Sequence, residues 1–124
     1  MDRVFFAIGA ISAFLGVAAG AFGAHGLKSR ISTEMLTVFE IGVRYQMYHA
    51  FALLAVALAQ TKWPSTIMVV SGWFFVIGIL LFSGSLYLLA FTGLRWLGLI
   101  TPFGGLSFLA GWLCLAWASL RSLT

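Results

Sequence analysis

Acidic residues are almost missing from this chain. Asp2, Glu34 and Glu40 are the only three in 124 residues, and with seven Lys and Arg the charged fraction reaches just 8%. Soluble domains carry about 25% charged residues, so this composition excludes an ordinary water-facing globule. Cysteine is as scarce: Cys114 stands alone, which excludes an internal disulfide and a thiolate metal cluster. The net charge of +4 reflects missing acids more than abundant bases, and the few cations form no stripe for nucleic acid. No carboxylate falls inside an apolar run, and neither G-x-S-x-G nor a Ser/His/Asp arrangement occurs, so no enzyme is expected. His25 and His49 lack an acidic partner for a closed zinc site, and counting places them a turn or two apart in depth, which counts against bis-histidine haem. No metal and no cofactor is therefore expected.

What the chain does contain is apolar: 62% of it is hydrophobic. The sparse charges leave four uncharged runs, each near or above the ~20 residues that span hydrocarbon. Lipid forces such runs to be helical, because an unpaired backbone group there costs several kcal/mol. The expectation is an all-α integral membrane protein: a four-transmembrane-helix antiparallel bundle in one domain, residues 1–124. Its helices fall at about 4–27, 40–60, 64–91 and 97–120, with a short amphipathic interfacial segment at about 31–39 in the first loop. Ile31, Met35 and Phe39 recur there at helical spacing among Ser32, Thr33 and Glu34. Thr37 to Glu40 also matches a capping box, which leaves open whether the segment is continuous with the second helix. Pro64 suits the first turn of the third helix. A cleaved signal peptide is the alternative for the first helix, with Ala21-Phe22-Gly23 as the cleavage-like site. Its apolar run is too long, however, and Ser12, Gly16, Gly20 and Ala24 form a small-residue packing face that a discarded peptide would not need. Gly104 and Gly105 offer a similar surface on the fourth helix.

Trp63 and Trp117 are expected near one interface and Trp96 near the other. Arg3, Lys62 and Arg121 stand on the terminal side, against Lys28, Arg30, Arg95 and a snorkelling Arg44 on the other. This balance does not orient the chain. Both termini are expected on one side, the cytoplasmic one, because Lys62 and Arg121 lie in the shortest segments.

Polar residues inside a span need an explanation. Counted at about 1.5 Å per residue, they gather on the first-loop side. His25 closes helix one. Arg44, Tyr45, Gln46, Tyr48 and His49 open helix two, Ser83, Ser85 and Tyr87 end helix three, and Thr101 and Pro102 open helix four. Each has a plain structural reading: a Glu40–Arg44 ion pair at i,i+4, a Tyr45–His49 hydrogen bond, close helix contact at Ser83-Gly84-Ser85, and a kink at Pro102 that frees the Gly98 carbonyl. Their common depth suggests instead that His25, Arg44, Tyr45, His49, Ser83, Ser85 and Thr101 line a shallow polar cavity. Arg44 would supply fixed positive charge, His49 a titratable group, and the ligand would be an anionic headgroup or small anion.

Five stretches now form a pattern. They are Gly20-Ala21-Phe22-Gly23-Ala24-His25-Gly26-Leu27, Tyr45-Gln46-Met47-Tyr48-His49-Ala50, Phe82-Ser83-Gly84-Ser85-Leu86-Tyr87, Ile100-Thr101-Pro102-Phe103-Gly104-Gly105 and Phe108-Leu109-Ala110-Gly111-Trp112. In this order, over nearly the whole chain, they resemble the family known as domain of unknown function 423. The resemblance implies a compact integral inner-membrane protein of bacteria, with relatives in mitochondria and no established activity.

The leading expectation is thus a non-enzymatic membrane component in the lipid bilayer, acting as an accessory or assembly factor in a larger membrane complex or as a homo-oligomer. The alternatives are a small transporter or channel for an anion or anionic metabolite, and a lipid- or quinone-binding protein using the Arg44/His49 cavity. The absence of an intramembrane carboxylate disfavours cation/proton antiport.

Overall fold

The computed structural model describes residues 1–123; Thr124, the last residue of the domain expected over 1–124, lies outside them. Four helices long and apolar enough to cross a membrane follow in order: α1 (Asp2–Leu27), α2 (Thr33–Lys62), α3 (Thr66–Thr92) and α4 (Arg95–Arg121). No strand occurs among the described residues. The all-α, four-span architecture read from the uncharged runs is the one observed, and the short connections turn each helix back along its predecessor.

The helix ends follow from local chemistry. Ser32 has extended backbone, and its hydroxyl accepts from the Met35 N–H at 3.1 Å, a side-chain cap that starts α2 early. The stretch expected as an interfacial segment at 31–39 is therefore, from Thr33 onward, the beginning of α2. Thr37 does not cap a new helix; its hydroxyl donates to the Thr33 carbonyl within the same one, at 3.1 Å. Phe39 turns inward to cluster with Leu27 and Ala90, which holds this amphipathic stretch against the bundle. After Trp63 and Pro64, Ser65 caps α3 by accepting from the Met68 N–H at 3.1 Å. Gly93, at φ 71°, ends α3 in the left-handed conformation that glycine adopts without a Cβ clash. The helix α4 opens as a 3-10 turn, Arg95–Leu99, and becomes regular at Thr101. Pro102 thus sits in a first α-turn, where a missing N–H is tolerated, and the helix type changes just before it.

Two turns are π-helical: Gly23–Leu27 at the end of α1 and Ile79–Ser83 within α3. The second lies where α4 comes closest. A Cβ at Gly104 would stand 2.7 Å from the Phe82 Cα, so only glycine allows the backbones to meet there. Along α1, a Cβ at Gly9 would stand 2.9 Å from the Ala50 carbonyl oxygen, and one at Gly16 2.5 Å from the Met47 sulfur. These contacts fix α1 on α2 and α4 on α3, with α2 and α3 as the central pair. All four helices supply the main core, through Phe5, Leu53, Val56, Met68, Phe75 and Phe108. The outer faces of α1 (Ile11, Phe14, Val17) and α4 (Leu106, Leu109, Leu113) are apolar and exposed, as lipid-facing surfaces require.

Candidate functional site

The polar residues are organised by α2. Gly42, Gln46 and His49 recur at i, i+4 and i+7 on its buried face, a single stripe of the helix. Gln46 Nε2 donates to the Ser12 carbonyl on α1 at 2.8 Å, and Oε1 accepts from the Tyr87 hydroxyl on α3 at 2.6 Å. One turn earlier, the Ser83 hydroxyl donates to the Gly42 carbonyl at 2.7 Å. One turn later, His49 Nδ1 lies 2.7 Å from the Tyr45 carbonyl, and Nε2 lies 3.1 Å from the Trp112 indole N–H. A carbonyl only accepts and an indole only donates. The imidazole is therefore neutral, with its proton on Nδ1 and both nitrogens engaged. Its ring stacks on Phe108 at 3.5 Å between centroids and 7° between planes.

Further bonds join α3 to α4. Ser85 and Thr101 pair through their hydroxyls at 2.6 Å, Ser71 donates to the Gly111 carbonyl at 2.7 Å and Ser107 to the Phe74 carbonyl at 2.7 Å. At the first-loop end, Arg95 holds Glu34 at 3.1 Å in an exposed ion pair that ties the start of α2 to that of α4.

The seven candidate residues do not share one cavity. Tyr45 and His49 line a groove of about 930 Å³ between α2 and α4, with Phe82, Phe108 and Trp112. Ser83 faces a second groove, of about 350 Å³, between α1 and α3. Ser85 and Thr101 engage each other, as above. His25 and Arg44 are exposed on the outside and make no hydrogen bond or ion pair among the described residues; the Glu40–Arg44 pair is likewise not formed. The packing positions divide too. Ser12 meets α2 through its carbonyl, Gly16 abuts Met47 of α2, Gly20 has room for a Cβ 3.5 Å from Val43, and Ala24 is exposed. Gly104 abuts Phe82, whereas Gly105 lies open to the α2–α4 groove. The residues that organise the layer, Gln46, Tyr87 and Trp112, are absent from the candidate set. The spacing of Gln46, four after Gly42 and three before His49, is the signal that places it on the buried face.

Among the described residues no three of His, Cys, Asp and Glu come together as a metal site would need. What the arrangement does chemically is to satisfy buried polar groups between helices.

The same segments carry similarity to known proteins. A family model described as "Protein of unknown function (DUF423)" matches residues 19–105. UPF0382 membrane protein SSP2132 of Staphylococcus saprophyticus is 46% identical over 113 residues, 91% of this chain and 93% of that protein. UPF0382 membrane protein YwdK of Bacillus subtilis is 45% identical over 122 residues, 98% and 99% of the two chains. UPF0382 inner membrane protein YgdD of Escherichia coli is 40% identical over 120 residues, 97% and 92%. No solved structure matches. The matched region runs from the end of α1 to the start of α4 and so contains the Gly42, Gln46 and His49 stripe with its partners on α3; by that match, and by relatives aligned along almost their full lengths, this membrane protein belongs to the DUF423 family.

Proposed function

We propose that the chain is a non-catalytic accessory or structural component of the bacterial inner membrane, with both termini cytoplasmic. Its bundle would present the outer faces of α1 and α4 to a larger assembly or a second copy. The observation that carries this reading is the use made of the intramembrane polar groups. Gln46, Ser71, Ser83, Ser107 and His49 are each engaged by a neighbouring helix. They hold four helices in one arrangement, and a fixed scaffold is what an assembly factor needs. An anion route would require Arg44 and His49 in one cavity. Arg44 lies on the outside, and both His49 nitrogens are already engaged, so the scaffold reading is preferred.

The test is photo-cross-linking in intact membranes, with a photoreactive amino acid in place of Phe14 on α1 or Leu113 on α4. Discrete protein adducts from at least one face are expected. Recovery of lipid adducts alone from both faces would overturn the reading. A second reading, a seat for a lipid chain, is favoured by the wide α2–α4 groove, whose walls are almost wholly apolar and aromatic.

A further inference from the structure

Two polar groups in the groove between α1 and α3 have bonding capacity that the bundle leaves unused. Ser12 lines this groove and is 8% exposed. Its hydroxyl is the one buried side-chain oxygen or nitrogen without a hydrogen-bond partner among the described residues. Gln46 forms part of the same lining, and only one of its two amide hydrogens is used, on the Ser12 carbonyl. The two hydroxyls beside them have already given their protons: Tyr87 donates to Gln46 and Ser83 to Gly42. Counted this way, two donor hydrogens facing the groove, one on Ser12 and one on Gln46, meet no acceptor in the bundle. A buried donor left unmade is costly, so the groove is matched to a molecule that brings an oxygen acceptor.

Depth and charge narrow the choice. Ser12 lies about 15 Å along α1 from its start and roughly 22 Å from its end, at 1.5 Å per residue. In a hydrocarbon core about 30 Å thick this is well below the polar boundary, where phospholipid ester carbonyls sit. No charged side chain lines the groove, so the occupant is neutral. Its volume of about 350 Å³ falls within the range of small-molecule sites.

We propose that the α1–α3 groove binds a neutral, tailed carbonyl compound of the quinone class, with one ring carbonyl accepting from Ser12 Oγ and Gln46 Nε2. The tail lies along Ile11, Leu15 and Leu80 and continues into lipid. The site differs from the α2–α4 groove and does not depend on the scaffold reading.

The experiment uses the full chain in phosphatidylcholine nanodiscs, titrated with decylubiquinone while the unfolding temperature is followed. Decylbenzene, which keeps a ring and tail but has no carbonyl, is the control. A saturable rise in Tm is expected with decylubiquinone and none with decylbenzene. The Ser12 hydroxyl bonds to nothing in the protein, so Ser12→Ala leaves the fold intact and is expected to weaken decylubiquinone about tenfold, the worth of one hydrogen bond. Leu80→Trp, at the exposed rim of the groove, is expected to abolish the shift. The proposal is overturned by the lack of a saturable shift, by equal binding of decylbenzene, or by unchanged affinity in Ser12→Ala. Loss of binding in Gly105→Leu but not in Leu80→Trp would also overturn it, since the ligand would then occupy the α2–α4 groove.

Discussion

Gln46 is where three helices meet through one side chain, and its amide suits the task because it both donates and accepts. Gln46→Leu keeps the bulk but strips α1 and α3 of their shared partner, leaving the half-buried Tyr87 hydroxyl without an acceptor. A loss of about 1–3 kcal/mol is expected, measured by unfolding in mixed micelles. Tyr87→Phe leaves the Gln46 Oε1 without its donor but keeps the Gln46 bond to the Ser12 carbonyl, so a smaller loss, about 1 kcal/mol, is expected. Equal losses in the two variants would contradict this difference. His49→Phe tests the other half of the layer: stacking on Phe108 survives, the Trp112 indole N–H loses its acceptor, and about 1–2 kcal/mol should be lost. How far these residues could be read from the sequence depends on the coordinate asked for. Depth was legible, because each helical residue adds a fixed rise. Direction was not, because each residue also adds about 100° of rotation, and which face is inside depends on neighbours that counting cannot place. Arg44 and Gln46 differ little in depth, yet one faces outward and the other holds the core.

At the level of elements, what could be read was what the hydrocarbon enforces. An uncharged run must close its own backbone hydrogen bonds, so four runs gave four helices. The limits of those helices answered to single side chains: Ser32 captures the Met35 N–H, and α2 begins at Thr33, about two turns before the start expected near residue 40. The π turn at Ile79–Ser83 left no mark in the apolar pattern, since a widened turn shifts which residues face inward without changing how apolar they are. Gly104 is the element-scale counterpart of that turn, because α4 meets α3 at Phe82 through it. Gly104→Ala is expected to cost about 1–3 kcal/mol, as overpacking does. Gly105→Ala, whose Cβ would have only Phe82 nearby at 4.0 Å, should stay within about 0.5 kcal/mol of the native chain. Unfolding midpoints compared in the same micelles check the pair, and a larger loss at Gly105 would show that α4 seats on α3 by another face.

Taken as a whole molecule, the bundle is two outer helices strapped to a central pair, and its alternating helix directions place residues 1 and 123 at the same end. The opposite end carries the Ser32-capped start of α2 and the Glu34–Arg95 contact. That pair is exposed on both sides and exchanges its partners readily with water, so Arg95→Ala should leave the unfolding midpoint unchanged. Orientation is the property that packing alone does not decide. Cations stand at both ends, but those of the terminal end include Lys62 beside the connection of residues 63–65, a segment short enough for positive residues to act on insertion. Termini in the cytoplasm are expected, and labelling checks it. With Cys114→Ser as background, Lys28→Cys should react with a membrane-impermeant maleimide added to spheroplasts. Ser122→Cys should react only after the membrane is opened. The reverse pattern would put α1 and α4 into the membrane the other way up, and equal labelling at both positions in sealed spheroplasts would mean that two orientations coexist. In that case the outer faces proposed to meet a partner would be offered in both senses, and the cross-linking adducts at Phe14 and Leu113 should divide accordingly.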